Sequence, residues 1–529
     1  MTRQILPVPN PVTSYWLSEE SPLADLRSTS HLPQECDVAV IGAGMAGVLS
    51  AYHILKSTEN SGDHRSLDAE EGGATEYKDS PTVLLVDARQ LCSGATGRNG
   101  GHVKVQVNTL LNLPDSDDDG GSKRTAFQDY VGRVMLELKR IVEDEDLDCE
   151  FELRRSFDVF TDVAQASKIY TKYNTARKAG EPWTTKVSWI SAARAAQLTS
   201  ITHAAGAFSV PAASFWPYKF VTGLLARMLA RWPRRLNVQM QTPILSLSSS
   251  SIPLLTTDRG RIIAAKVVLA TNAYTAGLLP RFKDKIVPVR GMASHHRPEK
   301  RVHPHLSNTY NINFGPGKGV DYLNPRPDGG VVVGGGSWLF AQDVASWRDN
   351  FDDAHLFPER TMAYWSEYMQ ERFLGWEDSR NVNDYVWTGI MGRTSDGQPL
   401  VGRVPGKGSV WVLAGFNGGG MALIAVAARA MGSMVSENKG FEQVWEGQGL
   451  LREFECSEER LERLKTLPEL VLGDVQRPGF VDTREDAWVS HVEMPEVGEA
   501  AKKRLKVLVA GDILEKMATD SAFAKGYHA

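Results

Sequence analysis

The sequence has little of several features that would assign a protein to a class at once. Its 529 residues include only four cysteines, and no two of them form a CxxC pair, so neither a disulfide framework nor a cysteine-rich metal site is predicted. The net charge is only −5, which favours neither a nucleic-acid nor a membrane partner. No apolar run is long enough for a membrane-spanning helix, and the first residues contain no signal-like apolar core, so a cytoplasmic location is expected.

A strand, a glycine-rich turn and a helix of small residues are predicted for residues 36–56, CDVAVIGAGMAGVLSAYHILK. Gly42, Gly44 and Gly47 have the GxGxxG spacing of a dinucleotide-binding turn. The first glycine permits the tight turn, the second lets the main chain approach a pyrophosphate, and the third lets helix and strand pack closely. The helix N-terminus would stabilise the bound anion. A plain strand-to-helix turn is the structural alternative.

A second buried strand, in PTVLLVDA, ends at Asp87, which is expected to accept hydrogen bonds from ribose hydroxyls. Asp87 lies 40 residues after Gly47, where about 20 is usual. The polar segment 57–80 accounts for the excess and is interpreted as a disordered or looped insertion. A turn or helix-cap role is the alternative for this aspartate. A second polar segment, 113–124, is interpreted as a surface loop.

The segment GATGRNGGH, residues 94–102, favours FAD over NAD. It follows the second strand closely, at a point where an NAD domain would continue into another helix. Its glycines expose main-chain N–H groups, and Ser93, Thr96, Arg98 and Asn99 add side-chain donors. Such a loop is suited to a second face of a pyrophosphate and to the edge of a large flat ring.

Five motif-like segments follow one another along the chain: DVAVIGAGMAGVLSAYHI, VDARQLCSGATGRNGG, VVLATNAY, WTGIMGRTSDGQPLVG and VLAGFNGGGMALI. Together they resemble FAD-dependent oxidoreductases of the D-amino-acid oxidase superfamily over about residues 10–436. The form GATGRNGG is most similar to the gamma-glutamylputrescine oxidase branch and its fungal relatives. The resemblance implies an α/β fold, with a discontinuous Rossmann-like FAD-binding domain and an α+β substrate domain that has a mixed or antiparallel sheet.

The domain boundaries expected from this resemblance are an N-terminal arm packed on the surface at 1–34, an FAD-binding domain at 35–110, 215–285 and 385–436, a substrate domain at 111–214 and 286–384, and a helical C-terminal extension at 437–529. Helices are predicted at 125–145, 162–180 and 216–232, a helix-rich stretch at 354–376, and a final helix from Met421 onward.

The cofactor-binding residues expected from the motifs and the resemblance lie in five groups. These are Gly42, Ala43, Gly44, Met45, Ala46 and Gly47; Asp87, Ala88 and Arg89; Ser93, Gly94, Ala95, Thr96, Arg98, Asn99, Gly100, Gly101 and His102; Ile244, Thr271, Asn272 and Ala273; and Gly389 with Phe416, Asn417, Gly418, Gly419, Gly420 and Met421. The resemblance places Ile244 near the adenine, and the last group under the flavin N1–O2 edge.

The substrate residues are predicted from fewer signals. Tyr322 matches a family tyrosine that faces the substrate, and Tyr385 and Trp387 are expected to form pocket walls. Amino-acid-oxidising relatives carry an arginine at the position of Met391, where it clamps the substrate carboxylate. Arg393 is displaced by two residues and is expected to point elsewhere.

Other candidate residues are assigned structural roles. Arg290 is interpreted as structural. The histidines at 295, 296, 303 and 305 are not expected to bind a metal, because no cysteine or carboxylate lies at ligand spacing. Cys92 and His102 raise the possibility of covalent flavin attachment. However, the attachment position of histidyl-linked relatives matches Arg98 and no cysteine occurs at 389–393, so the FAD is expected to be non-covalent.

The predicted function is oxidation of a C–N bond in a small amine or amino-acid-like substrate, with hydride transfer to flavin N5 and O2 as acceptor giving H2O2. Two alternatives stay open. One is a dehydrogenase or biosynthetic tailoring enzyme with another acceptor, and the other is a non-catalytic flavin-binding protein. The sequence does not determine the oligomeric state.

Overall fold

Two sheets organise the part of the chain that the computed structural model describes, which comprises residues 5–59, 81–113, 122–248 and 252–464. In chain order, the strands there are β1 (Glu35–Ile41), β2 (Val83–Val86), β3 (His102–Lys104), β4 (Glu152–Phe160), β5 (Ser188–Ser191), β6 (Gly206–Ser214), β7 (Leu236–Gln239), β8 (Ser246–Ser248), β9 (Leu254–Thr257), β10 (Gly260–Leu269), β11 (Val287–Arg297), β12 (Thr309–Asn313), β13 (Val320–Pro325), β14 (Val331–Gly334), β15 (Val382–Arg393), β16 (Leu400–Arg403) and β17 (Val410–Ala414). The α-helices there are α1 (Met45–Ser57), α2 (Val107–Leu111), α3 (Lys123–Asp144), α4 (Val163–Lys178), α5 (Ala192–Thr199), α6 (Pro217–Arg231), α7 (Thr275–Leu278), α8 (Val344–Trp347), α9 (Glu359–Met362), α10 (Tyr368–Arg372), α11 (Ile424–Ser436), α12 (Trp445–Gln448) and α13 (Glu458–Arg463).

The first sheet has the order β16-β17-β10-β1-β2-β7, with β9 and β8 added beside β10. Strands β17, β10, β1, β2 and β7 are parallel to one another, whereas β16 is antiparallel to β17 and β9 is antiparallel to β10. Strands β2 and β17 are buried at every residue, as expected for parallel strands that are covered on both faces. Helices α1 and α11 pack together in the core beside this sheet. This arrangement confirms the Rossmann-like prediction.

The second sheet has the order β15-β11-β14-β13-β12-β4-β6-β3, with β5 beside β6. Its pairs are antiparallel except for β12 with β4, which are parallel, so the predicted mixed sheet is confirmed. Strands β3 and β15 belong to this sheet although they lie largely within segments assigned to the FAD-binding domain. The domain boundaries themselves stay a prediction.

The amino-terminal arm is more deeply packed than the sequence suggested. Tyr15 and Trp16 form part of the main core and are 6% and 0% exposed. The prediction of an arm packed on the surface is therefore wrong at these two residues, because their large rings fill space between Trp216 and the loop that precedes β3.

The predicted helices at 125–145, 162–180 and 216–232 are confirmed as α3, α4 and α6. The predicted stretch at 354–376 contains the short helices α9 and α10 and a 3-10 turn at Ala363–Trp365, and several of its aromatic residues lie in the core of the second sheet. The final helix starts at Ile424 and not at Met421, since Gly420–Ala422 forms a separate 3-10 turn.

Other predictions lie wholly or partly outside the described residues. These are most of the polar segments at 57–80 and 113–124, and positions 465–529 of the C-terminal extension. The described part of that extension, 437–464, contains α12, α13 and two 3-10 turns. Among the residues that the structure describes, no helix is long and apolar enough to cross a membrane.

Candidate functional site

A cavity of about 360 Å³ is lined by residues of both sheets and of the loops between them. Most of the predicted site residues line it, namely Gly42, Gly44, Met45, Ala46, Asp87, Ala88, Arg89, Ser93, Gly94, Ala95, Thr96, Arg98, Asn99, Gly100, His102, Ile244, Thr271, Asn272, Ala273, Tyr322, Gly389, Met391, Phe416, Asn417, Gly418, Gly419, Gly420 and Met421. Five predicted residues do not line it: Ala43, Gly47, Gly101, Tyr385 and Trp387.

The GxGxxG turn joins β1 to α1 and brings the start of the helix to the cavity. Gly42 has a φ of +106°, and a Cβ there would lie 2.5 Å from the carbonyl oxygen of Ala270. Gly47 faces away from the cavity, and its added Cβ would lie 1.7 Å from the Gly42 oxygen. Its role is therefore close packing of the helix on the turn, as its place in the motif predicts.

Asp87 follows β2 and lines the cavity beside this turn. One carboxylate oxygen accepts the main-chain N–H of Ala43 at 2.7 Å, and the other accepts that of Arg89 at 2.9 Å. Burial raises the pKa of Asp87, and these N–H donors oppose the rise. The two bonds orient the carboxylate and leave lone pairs that can accept from a ligand hydroxyl.

The loop 94–101 uses its polar side chains mainly to hold its own main chain. Thr96 Oγ1 accepts the N–H of Met45 at 3.0 Å, which ties the loop to the start of α1. Asn99 donates to the carbonyl of Thr96 and accepts the N–H of Gly101. Both residues line the cavity. The Asn99 amide donates within its own loop, in contrast to its predicted role as a free donor, whereas the Thr96 hydroxyl only accepts in this contact and keeps its own O–H donor.

Arg98 is buried beneath this loop. Its Nε donates to the carbonyl of Ser93 at 2.9 Å, its Nη1 donates to that of Thr388 at 2.8 Å, and its Nε lies 3.5 Å from a carboxylate oxygen of Asp353. The remaining Nη2 is buried and has no hydrogen-bond partner in the described part of the chain. Asp353 also pairs with Arg89 at 2.9 Å. A buried donor without a partner is costly, so Nη2 is suited to an acceptor supplied by a ligand.

The N-terminal arm supports the same loop from its other side. The hydroxyl of Ser14 donates to the carbonyl of Gly97, and Nε1 of Trp16 donates to that of Asn99. A Cβ on Gly101 would lie 2.6 Å from the Trp16 ring, which explains why this residue faces the arm and not the cavity. Further along the arm, the segment 5–7 lines the cavity itself. The sequence offered no motif for these contacts.

A third turn, residues 415–421, follows β17 and is held by side-chain amides. Asn272 Oδ1 accepts the N–H groups of Gly415 and Phe416 at 3.0 and 3.3 Å. Asn417 has a φ of +54°, and its Oδ1 accepts the N–H of Thr394 at 2.8 Å. The turn thus exposes its glycine-rich main chain to the cavity in a defined conformation.

Arg393 and the two predicted aromatic walls lie away from the cavity. Arg393 donates to the carbonyl of Asn417 at 3.3 Å, which agrees with its displaced position. The prediction for Trp387 is wrong because its ring is fully buried and its Nε1 donates to the carbonyl of Arg98 at 2.9 Å. Tyr385 is also wrongly assigned, since its ring packs near Tyr15 and His295.

The part of the cavity formed by the second sheet is built from single side chains on several strands. Tyr322 on β13 meets His102 on β3 edge to face, with ring centroids 5.3 Å apart. A Cβ on Gly100 or Gly334 would lie 2.7 or 2.1 Å from the Tyr322 side chain, so both glycines make room for this ring. Burial lowers the pKa of His102 well below its usual value, so the imidazole is neutral near pH 7.

Lys104 lines this part of the cavity and was not predicted. Its Nζ donates to Ser156 Oγ at 3.0 Å and to the carbonyl of Tyr310 at 2.6 Å. Burial lowers the pKa of Lys104 to about 7, and the carboxylate of Asp158 partly offsets this effect. One sequence feature could have predicted this residue: Lys104 and His102 alternate in a strand directly after the glycine-rich loop, so their side chains lie on the same face.

Several other residues that line the cavity were not predicted to do so, among them Gln106, Tyr274, Arg290, Met292, Asn311, Ser337 and Phe340. Arg290 was interpreted as structural. Its guanidinium donates to the carbonyls of Ser346 and His355 and lies over the Phe357 ring, although the residue also borders the cavity. Among the described residues, no cluster of three or more histidine, cysteine, aspartate or glutamate side chains could hold a metal ion.

Comparison with protein families gives a match to the model of the FAD dependent oxidoreductase family, DAO, over residues 37–434. The chain belongs to this family. It is therefore an FAD-dependent oxidoreductase. A search of curated proteins found no match.

Solved structures show the same fold at low sequence identity. Glycine oxidase from Geobacillus kaustophilus is 18% identical, with a TM-score of 0.59, over 79% of this chain and 99% of that chain. L-proline dehydrogenase from P. horikoshii is 17% identical, with a TM-score of 0.58, over 80% and 100%. Iminodiacetate oxidase from Chelativorans sp. BNC1 is 17% identical, with a TM-score of 0.56, over 77% and 98%.

The residues of this oxidoreductase fit FAD. The GxGxxG turn places a helix N-terminus at the cavity, Asp87 supplies oriented acceptor oxygens, and Arg98 Nη2 supplies a buried donor without a protein partner. The predicted cofactor is thus confirmed by family membership, and the chemistry of the donors present is consistent with it.

Proposed function

We propose that the FAD diphosphate lies at the start of α1 and along the loop 94–101, that Asp87 accepts from the ribose, and that Ile244 lies near the adenine. The main chain of residues 416–421 would then meet the flavin N1–O2 edge. The observation that carries this placement is that segments from these four distant parts of the chain line one cavity. The positive end of the 3-10 turn and of α11 would favour negative charge on the reduced ring.

The proposed reaction is oxidation of a C–N bond in an amine or amino-acid-like substrate bound beside Tyr322. Bound FAD supplies the hydride acceptor, flavin N5. The carbon next to the nitrogen gives up the hydride and the nitrogen loses a proton, so that an imine forms. Water hydrolyses the imine to a carbonyl compound and ammonia, or to a smaller amine when the substrate nitrogen carries a second alkyl group. O2 is the proposed final acceptor and gives H2O2. The solved structures described above, named for glycine, L-proline and iminodiacetate, share the fold and motivate this substrate class.

The amine must be neutral to release a hydride from the neighbouring carbon. For an alkyl amine with a pKa of about 10.4, deprotonation at pH 7 costs about 4–5 kcal/mol. The cavity has apolar walls from Met292, Phe340, Met391 and Ile424, which disfavour the ammonium form and reduce this cost. Orientation and exclusion of water are therefore the main contributions proposed for this protein, and no side chain is assigned as an essential base.

The flavin is proposed to be non-covalent. Cys92 lines the cavity, but burial raises the pKa of its thiol far above the usual value, so the nucleophilic thiolate is scarce. Denaturation of the holoenzyme with acid should release all the flavin into the supernatant. A yellow protein pellet would contradict this proposal and would make His102 the first attachment site to examine.

The finer assignment, to enzymes similar to the gamma-glutamylputrescine oxidase branch, rests on the form of the GATGRNGG segment and belongs to the same proposal. A dehydrogenase with another acceptor is the main alternative, and the structural similarity to an L-proline dehydrogenase keeps it relevant.

In the decisive experiment, the holoenzyme is mixed anaerobically with each member of a panel of primary amines, amino acids and N-alkyl amino acids. The absorbance of the bound flavin is recorded after each addition. We expect at least one amine to bleach the flavin, and subsequent addition of O2 to restore the spectrum with one H2O2 per flavin. Dithionite serves as the control for a reducible flavin. Bleaching by dithionite but by no amine would overturn the proposed reaction, whereas bleaching by an amine with slow reoxidation by O2 would favour the dehydrogenase.

A further inference from the structure

Lys104 has a hydrogen-bonding arrangement that leaves one position of its amino group free. The carbonyl of Tyr310 can only accept, so Lys104 donates to it at 2.6 Å. Ser156 Oγ already donates to the carbonyl of Thr309, so it accepts from Lys104 at 3.0 Å. A lysine ammonium has three donors, and these two contacts use two of them. The third donor has no hydrogen-bond partner among the residues that the structure describes, and Lys104 itself lines the cavity.

Only some of the cationic side chains around the cavity are paired with a carboxylate. Of the four cationic side chains that line it, Arg89 and Arg98 share the carboxylate of Asp353. Lys104 and Arg290 have no carboxylate oxygen within 4.0 Å among the described residues. Arg290, on β11 beside β15, donates to two main-chain carbonyls and lies over the Phe357 ring, and its Nε is a buried donor with no partner among the described residues. On the β3 side of the cavity, Lys104 is the cation with a donor available to a ligand.

A neutral polar side chain lies on the same sheet as Lys104 and also lines the cavity. Asn311 on β12 lines the cavity, and its Nδ2 donates to Asp158 at 2.7 Å, so that side chain is held in place. Asp158 also accepts the N–H of Val107 at 2.8 Å. On β15, which lies at the other end of the strand order from β3, position 391 is a methionine whose thioether offers no charge to an anion.

We propose that Lys104 is the cationic anchor for a carboxylate group carried by the amine substrate. This inference rests on the proposed function and narrows its substrate class to amines that bear an acidic group. The carboxylate would receive a charge-assisted hydrogen bond from the free Nζ donor, at the β3 side of the cavity and not at the β15 side.

The anchor is expected to respond to pH, because a carboxylate requires the charged form of Lys104. Without a ligand, burial lowers the pKa of Lys104 to about 7. Two titratable groups interact with it electrostatically, Asp158 on β4 and His102 on its own strand, and Tyr322 on β13 lines the same cavity. His102 is neutral and Tyr322 stays protonated through this range, since burial lowers the pKa of the former and raises that of the latter. Above pH 7 the unliganded lysine loses its charge, so the Kd of a carboxylate should rise about tenfold per pH unit.

The test uses binding by the holoenzyme and does not require turnover. Acetate and benzoate are titrated in, the flavin absorbance change gives the Kd, and benzamide is the uncharged comparison. We expect Lys104→Met to raise the Kd of both carboxylates about 10- to 100-fold, with that of benzamide unchanged. Lys266→Met is the matched control, because Lys266 also donates to a main-chain carbonyl, that of Val435, but lies outside the cavity.

Lys104→Arg is the second variant and stays charged at all practical pH values. It should bind carboxylates with a Kd that no longer rises above pH 7, which a purely structural role of Lys104 would not produce. FAD content and Tm report whether each variant folds. The inference is overturned if the carboxylates do not perturb the wild-type spectrum, if Lys104→Met binds them as the wild type does, or if the wild-type Kd is the same at pH 6 and pH 9.

The two proposals fail in different ways. Carboxylate binding that depends on Lys104, in a protein whose flavin no amine reduces, would overturn the proposed reaction and retain the anchor. Reduction by neutral alkyl amines at the same rate as by acidic amines, unchanged in Lys104→Met, would retain the reaction and overturn the anchor.

Discussion

The two ends of the cavity are built in different ways. At the end proposed to hold the nucleotide, here called the nucleotide end, the lining comes from continuous segments that follow strands of the first sheet, and much of it is main chain held by other parts of the protein. At the end proposed to hold the substrate, here called the substrate end, side chains come from β3, β11, β12, β13 and β15 of the second sheet. The first end is recognisable from short motifs because its residues are adjacent in the chain. The second is not, because its residues meet only through strand pairing.

The two ends are expected to differ in the substitutions that they tolerate. Main-chain contacts with a cofactor are insensitive to many side-chain changes but sensitive to any change that displaces the backbone. Side chains that project from different strands can be exchanged one at a time. We therefore expect substitutions at the nucleotide end to change FAD retention, and those at the substrate end to change turnover with FAD retained.

Trp16→Ala should have the largest effect. Trp16 is fully buried, donates to the carbonyl of Asn99 and packs on Gly101, so its loss frees the loop 94–101. We expect a loss of about 3–5 kcal/mol in the free energy of unfolding, together with loss of FAD. The matched control is Trp365→Ala in the core of the second sheet, which should be destabilised similarly but keep its FAD affinity when folded. Equal FAD affinities for the two folded variants would contradict the assigned role of the arm.

Gly47→Ala should have the next largest effect. Its Cβ would lie 1.7 Å from the Gly42 oxygen, so α1 must move away from the turn. We expect a cost of about 2–3 kcal/mol and a reduced FAD content, measured from the ratio of flavin to protein absorbance. Gly132→Ala on α3 has no atom within 4 Å of the added Cβ and should keep full FAD content. Full flavin occupancy in Gly47→Ala would argue against close packing at this turn.

Tyr322→Phe tests the substrate end. The ring should stay in place between Gly100 and Gly334 while the hydroxyl is lost. We expect kcat/KM for the best amine to fall about tenfold, which corresponds to one hydrogen bond of about 1.4 kcal/mol, with unchanged FAD content. Loss of FAD with unchanged kcat/KM per bound flavin would reverse the assignment of Tyr322 to this end.

Thr96→Val should have the smallest effect. The substitution preserves shape and removes the hydroxyl oxygen that accepts the N–H of Met45 at 3.0 Å. We expect a loss of about 1 kcal/mol in FAD binding, or about a fivefold higher Kd, from equilibrium titration of the apoprotein. The kcat of the reconstituted enzyme should not change. A change in kcat without a change in FAD affinity would show that the two ends are not separable.

The structure corrected some predictions for identifiable reasons. Asn99 was expected to offer donors to the cofactor, but its amide donates to carbonyls of its own loop, and Arg98 uses Nε and Nη1 on protein carbonyls so that only its Nη2 lacks a partner among the described residues. Trp387 shares the strand of Met391, yet its ring is covered by the loop that precedes β3. Strand alternation could indicate which residues share a face, but not which part of that face another segment covers.

The sequence by itself predicted FAD, which family membership confirms, and most of the predicted cofactor-binding residues line one cavity. The glycine spacing, the aspartate after the second strand and the loop 94–101 are local features, and local features are encoded by neighbouring residues. Only the tertiary structure decided that the N-terminal arm supports the cofactor loop and that Lys104 shares a cavity wall with Asn311 and Tyr322. These contacts join residues as far as about 200 positions apart, and the pairing of strands that creates them leaves no short pattern in the sequence.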